Sequence, residues 1–211
     1  MAPKKQDTVT RTQRQQLRTR RQLLDAGRTL IAAKGVSGLR VQEITELADV
    51  ALGSFYNYFP SKDELVEAII TETLSDLASA TITETSDDTD PAEIVAMANV
   101  RVIGLARREP DLARLIVNIA HSEALFGQAV HPYARMAVER GIATGRFSVP
   151  DVEVLLTAVI GGAFALIREI LDGRHQPEAA EAFACYVLAS LGVRPDEASA
   201  IVTRTAGSAA T

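Results

Sequence analysis

Tryptophan is missing from this 211-residue chain, and phenylalanine and tyrosine together number only ten. The single cysteine, Cys185, excludes an intramolecular disulfide framework and fits a reducing compartment, so a cytoplasmic setting is expected. Histidine is almost as scarce. His121, Glu123 and His131 lie close together, but His121 and Glu123 are two apart and would leave a helix on different faces, and no cysteine is near. Neither a metal nor another cofactor is expected. The opening "MAPKKQDTVTRTQRQQ" carries charge without an apolar core and does not read as a secretory signal. The longest uncharged apolar run, Val154 to Ile167, has fourteen residues, which suits a buried helix better than a bilayer span. No membrane partner is expected.

What the chain does have is apolar bulk, 47% by composition, and an abundance of Ala, Leu, Glu and Arg. With strand formers scarce, the fold class expected is all-α, with a core large enough for one or two domains. Charge is unevenly spread. Residues 1–62 hold 11 Lys and Arg against five Asp and Glu, whereas residues 63–211 hold 11 against 22. Only the first part is suited to a polyanion.

Periodicity supplies the elements. Residues 1–13 are polar and are expected to be a disordered basic arm. A helix is expected from Arg14 to Lys34, with Leu17, Leu24, Ala26, Leu30, Ile31 and Ala33 as its apolar stripe and Gly35 as its stop. A short helix follows over Val41–Ala48, with Val41, Ile44, Leu47 and Ala48 on one face, then Asp49 as a turn residue and a third helix over Leu52–Tyr58. Pro60 ends that helix, and Ser61-Lys62-Asp63-Glu64 reads as a capping box opening a long helix to Ala80. Further helices are expected at Pro91–Arg108, Pro110–Ala120, Glu123–Ile142, Asp151–Leu171, Pro177–Leu191 and Pro195–Ala206, nine or ten in all. The domains would be 14–60 and 61–211.

Four of the ten aromatics, Phe55, Tyr56, Tyr58 and Phe59, fall within five residues of "GSFYNYF". Two short helices joined by a tight turn and backed by a longer one form a helix-turn-helix, whose second helix can enter a major groove. Phe55 and Phe59 are four apart and share the inward face, whereas Tyr56 and Tyr58 fall on others. Gly53 permits close backbone approach to DNA, Ser54 and Tyr56 offer hydroxyls, and Asn57 offers an amide.

With "VQEITELA" before it and "PSKDEL" after it, the stretch resembles the DNA-binding domain of the TetR family of bacterial transcriptional regulators over residues 16–66. The resemblance implies that Leu52, Gly53, Ser54 and Asn57 face base edges. It likewise implies that Arg40, Tyr56, Tyr58 and Lys62 hold phosphates, with Val41 and Ala51 completing the surface. Three departures from the family pattern stand out. Leu39-Arg40 replaces a Thr pair, Asp49 replaces a turn Gly, and Ala51-Leu52 replaces Ser-Lys, which favours apolar contact with a thymine methyl.

For residues 61–211 the resemblance implies an effector-binding and dimerisation domain. Helices near 151–171, with Gly161 and Gly162, and near 177–191 are expected to pair two subunits in a homodimer. Met97, Ile103, Ile116, Asn118, Ile119, His121, Phe126, Tyr133, Met136 and Phe164 are candidate pocket residues, and they suit a lipophilic or aromatic small-molecule effector. The function implied is a ligand-responsive repressor released from a palindromic operator in double-stranded DNA. Alternatives at this stage are an activator or a ligand-independent regulator and, in a different class, a helical carrier or an enzyme. The last would need a nucleophile with its base, a carboxylate pair or a phosphate loop, and none is discernible.

Overall fold

The computed structural model describes residues 11–83, 85–86, 88–118 and 122–208. The expectations for residues 1–10, Ile119 and His121 lie outside these residues. Within them every regular element is helical: α1 (Arg11–Lys34), α2 (Val41–Leu47), α3 (Leu52–Phe55), α4 (Lys62–Thr83), α5 (Pro91–Ile103), α6 (Leu105–Arg108), α7 (Pro110–Asn118), α8 (Ser122–Ala143), α9 (Val152–Leu171), α10 (Ala179–Ser190) and α11 (Pro195–Ser208). Several boundaries differ from expectation, two of them early in α1 and within the helix expected at 91–108. Residues 11–13 continue α1 instead of belonging to an arm, and the helix expected at 91–108 breaks at Gly104 into α5 and α6. A Cβ at Gly104 would lie 2.6 Å from both the Val100 carbonyl oxygen and Arg108 Nη1. The break lets Arg108 fold back, and its Nη2 donates to the Arg101 carbonyl at 2.6 Å.

Contacts divide the chain into two compact units after Ile70, ten residues beyond the boundary expected at Pro60. The reason is packing by the first turns of α4: Leu65, Val66 and Ile69 are buried, and Gly27 of α1 admits the side chains of Leu65 and Ile69 where a Cβ would stand. Within this unit Leu23, Leu24, Ile44, Phe55 and Phe59 complete the core. Of the residues expected on buried faces, Ala33 is exposed and two leucines also stand outside the core. Leu17 is 63% exposed on the first turns of α1, and Leu47, at 53%, lies off the face carrying Ile44 and Ala48. Ser61 does cap α4, its hydroxyl accepting from the Glu64 amide at 3.2 Å.

In the second unit α5 is central and packs against α8, α9, α10 and α11. Its start is fixed by Asp90, whose side chain accepts from the Ala92 amide at 2.9 Å ahead of Pro91. The same carboxylate receives Arg146 Nε at 2.9 Å and Nη2 at 3.1 Å, and Arg146 also reaches Glu197 of α11 at 2.6 Å. One guanidinium thus ties the start of α5, the turn after α8 and the first turn of α11. Beside it, Phe147 lies buried over Gly141, where a Cβ would fall 1.9 Å from the ring.

Partial burial pushes the Asp90 carboxyl up. The hydrogen bonds from Arg146 and the Ala92 amide, with the charges of Arg146 and Arg204, outweigh this and hold it below the ordinary carboxylate range. A depressed folded value means the stabilisation is complete above about pH 4, the unfolded value, and is lost as pH falls through the folded one. Asp90→Asn, which keeps the cap, is expected to lower stability by about 1 kcal/mol at pH 7, a figure discounted for the pair's partial exposure. Urea denaturation should show the gap between variant and parent closing below about pH 4; a gap independent of pH would refute the assignment.

Candidate nucleic-acid interface and apolar cavity

The turn between α2 and α3 is the structural key to the first unit. The Val50 amide donates to the Thr45 carbonyl at 3.0 Å and the Asp49 amide to the Glu46 carbonyl at 3.3 Å, the two crossed bonds of a Schellman closure. Asp49 occupies its left-handed position with φ +54°, as the sequence suggested for this residue. Equivalent closures after α8, α9 and α10 use Gly145, Gly173 and Gly192. Asp49 is therefore the one non-glycine in that role among the described residues. At the start of α2, Arg40 is the N-cap and makes no capping hydrogen bond. Its guanidinium is exposed, and its charge helps hold the Glu43 carboxyl below the usual range, after the hydrogen bond from Lys34.

Helix α3 ends at Phe55, three residues before the expected Tyr58, and Tyr56–Tyr58 form a turn closed by the Tyr58 and Phe59 amides on the Phe55 carbonyl. Phe55 and Phe59 are buried, with ring centroids 5.9 Å apart. Arg20 lies over the Phe59 ring at 5.4 Å, so this cation of α1 supports the aromatic pair. Tyr56 packs edge-on against Phe55 at 5.3 Å while remaining 57% exposed.

Of the residues singled out from sequence as DNA contacts, none is buried. Arg40, Ala51, Leu52, Gly53, Tyr56 and Asn57 are exposed; Val41, Ser54, Tyr58 and Lys62 are half-buried. A Cβ at Gly53 would meet nothing within 4 Å, so packing inside the protein does not demand a glycine there. A polar cleft also joins Ser54, Asn57 and Tyr58 to Gln15, Arg18, Thr19 and Gln22 of α1 and to Asp49. Sequence reasoning missed the three uncharged residues of α1 in this cleft, Gln15, Thr19 and Gln22. A helix-period count cannot show which polar face of α1 meets the end of α3.

The second unit holds a partly open apolar cavity of about 70 Å³, walled by α5, α8 and α9 with Ala78 of α4 and Val187 of α10. Ile94, Val102, Phe126, Val138, Leu156 and Ile160 form much of the wall, and Asn99 and Tyr133 are its two polar side chains. Among the pocket residues named from sequence, Phe126 and Tyr133 line this space. Phe164 backs it, its ring 5.5 Å from that of Phe126. The others are elsewhere. Ile116 is core, Ile103 borders a separate cleft on the far side of α5, and Met97 is half-buried outside the lining. Met136 is 52% exposed, and Asn118 is exposed with its amide donating to the Arg114 carbonyl at 2.9 Å. Asn99, absent from the sequence list, is brought in by the rotation of α5. His131 pairs with Glu153 at 3.1 Å across α8 and α9.

Helix α9 is long and apolar enough, by length and composition alone, to cross a membrane, with mean hydropathy 2.0 over its richest 18 residues. It packs against α5, α7, α8 and α10. Its outer face is also apolar: Val154, Ala158, Gly161 and Ala165 are at helical spacing and largely exposed, beside Ala182, Tyr186 and Ala189 of α10.

Asp49 lines the same cleft as Arg18, and among the described residues its carboxylate makes no ion pair. Asp49→Gly is expected to raise stability by about 1 kcal/mol by relieving the left-handed strain. Asp49→Asn should leave stability nearly unchanged. Both should tighten DNA binding at low salt if this cleft faces phosphate, by removing an acid from it. Equal DNA affinity in parent and both variants, measured by fluorescence anisotropy, would show that the carboxylate does not face phosphate.

Comparison with known proteins agrees with this division. Residues 23–69 match the family model of bacterial regulatory proteins of the tetR family, and residues 90–204 match that of the tetracyclin repressor-like C-terminal domain. The HTH-type transcriptional repressor DhaR of a Mycobacterium species is 36% identical over 72 residues, 34% of this chain and 36% of DhaR. The HTH-type transcriptional regulator TtgR of Pseudomonas putida is 36% identical over 86 residues, 39% of this chain and 40% of TtgR. The chain thus matches well under half the length of these curated relatives. The crystal structure of RolR in complex with resorcinol superposes with a TM-score of 0.77 at 28% identity, covering 92% of this chain and 97% of RolR. With more than half of its length matched by the second model alone, this chain belongs to the TetR family of bacterial regulators.

Proposed function

We propose that the protein is a ligand-responsive transcriptional repressor that binds a palindromic operator as a homodimer and is released by a small lipophilic or aromatic molecule. The observation that carries the reading is the split of one aromatic segment. Phe55 and Phe59 are buried, while Leu52 and Gly53 on the four-residue α3 and Tyr56 and Asn57 in the turn after it are presented to solvent. The repressor DhaR and the resorcinol-bound RolR support the two halves of the proposal, DNA control and effector binding.

Direct readout falls to Leu52, Gly53, Ser54 and Asn57, and phosphate contact to Arg40, Tyr56, Tyr58 and Lys62, with Ala51 and Val41 at the rim. Lys62 opens α4, where free helix-terminal amides add to its charge. Dimerisation uses the outer face of α9 and α10, where Val154 at 66% exposure and Tyr186 at 75% need a cover. A two-fold partner would set two reading heads about 34–36 Å apart, one turn of DNA. The apolar cavity is the effector site. Helix α4 contributes Lys62 near its start and Ala78 to the cavity wall, so it is the covalent route by which ligand would alter head spacing. Binding free energies are reciprocal, so operator must weaken ligand by the factor with which ligand weakens operator.

The double variant Tyr56→Ala, Lys62→Ala is expected to bind DNA from upstream of its own coding sequence at least roughly tenfold more weakly, with a salt slope shallower by about one. Binding retained at parental strength in a mobility-shift titration would overturn the reading head. Ala158→Arg places a charge in the centre of the proposed interface and should convert the dimer to a monomer in sedimentation velocity, with operator binding lost alongside. A variant that stays dimeric would move the interface elsewhere.

A further inference from the structure

The lining of the cavity is informative for what it withholds. Eighteen residues border it, and not one is Arg, Lys, His, Asp or Glu. Of the cations on the same helices, Arg135 bonds Glu139 at 2.8 Å and also Glu153, His131 bonds Glu153, Arg101 donates to Thr81 Oγ1 at 3.4 Å, and Arg168 lies over the Phe164 ring at 5.8 Å without joining the lining. An anionic group entering this space would give up its hydration with no countercharge to meet it.

The two polar lining residues restrict the ligand further. Asn99 Nδ2 donates to the Val95 carbonyl at 2.9 Å. A carbonyl can only accept, so this bond fixes the amide orientation and leaves Oδ1 as the unused group of this lining residue. Among the described residues none donates to Oδ1 and none bonds the Tyr133 hydroxyl on α8. A ligand that covers Asn99 Oδ1 without donating to it strands a desolvated acceptor, which weakens binding by about ten- to a hundredfold. The Tyr133 hydroxyl can donate or accept and tolerates either partner.

We propose, resting on the assignment of this cavity as the effector site, that the effector is an uncharged, largely apolar molecule bearing a hydroxyl group. Asn99 selects it by requiring a hydrogen-bond donor, Tyr133 provides the second polar contact, and the absence of any lining cation rejects carboxylates of the same shape. The α5 position of Asn99 makes it the specificity-determining residue of the site.

Three probes of one size separate the requirements: para-cresol, its methyl ether, and para-toluate. Each is titrated calorimetrically into the full-length protein, with operator release followed in parallel. Para-cresol is expected to bind at least roughly tenfold more tightly than either analogue. Asn99→Leu should abolish the preference for cresol over its ether while leaving para-toluate excluded. Tyr133→Phe should weaken cresol and ether alike, and it serves as a second readout if Asn99→Leu folds poorly. Para-toluate or the ether binding as tightly as cresol, an unchanged ratio in Asn99→Leu, or no cresol binding would each overturn the inference. The cavity-filling variant Ala134→Phe tests the underlying assignment separately. If it leaves probe binding intact, or if bound probe leaves operator affinity unchanged, the effector site is not this cavity. If binding is blocked and release occurs but cresol holds no advantage, the site stands and only the selection rule fails.

Discussion

A four-residue helix has no stability of its own, because nucleating a turn costs more than the few hydrogen bonds it gains. Helix α3 persists because Phe55 and Phe59 are buried beneath it and Arg20 of α1 covers the Phe59 ring. Everything attributed to the reading head depends on that burial. Two aromatic anchors fix the rotation of a very short element, and the rotation decides that Leu52, Tyr56 and Asn57 face solvent. The turn before it adds a second constraint. Asp49 holds a left-handed backbone so that α2 can close and the chain can re-enter α3 at the required angle. The sequence tolerates this strain and places an acid beside Arg18 in the same position.

The second unit is organised around α5. Its start is pinned by Asp90 and Arg146, its end bends at Gly104, and its sides meet four other helices. A helix so surrounded cannot adjust freely, and the space left between it, α8 and α9 persists as a cavity. The same packing explains the polarity of that cavity. Positions facing it across three helices are filled by Val, Ile, Leu, Ala and Phe, and Asn99 is tolerated because its amide nitrogen is satisfied by its own helix. The outer face of α9 is a different matter. Its small and apolar residues are exposed in the single chain and represent surface that folding alone leaves uncovered.

How much was legible in the sequence depended on whether the signal was local. The helices, the Ser61 cap, the left-handed turn at Asp49 and the inward pair Phe55 and Phe59 all follow from spacing and backbone preference, and each stands in the structure. Misplacements came where a neighbour decides. Leu17 and Leu47 carry the right period for a buried stripe, but no partner helix reaches them. Met136 and Asn118 were chosen for residue type, yet α8 and α7 turn them outward, while Asn99 looked like an ordinary polar position and is turned in. Helix periodicity fixes which residues share a face and leaves open which face meets the core.

The sequence by itself determined the helical class, the family and the chemistry of the segment from Gly53 to Phe59, because those reside in short-range spacing and in a motif few other chains carry. Only the tertiary structure decided where the first unit ends, since Leu65 and Ile69 pack on Gly27 from about forty residues away in the chain. It also decided which residues enclose the cavity, since a cavity is a property of surfaces from several helices meeting imperfectly. No single segment encodes that meeting. It is set by the rotations and crossing positions of helices packed together, which side-chain volumes across the whole unit fix jointly.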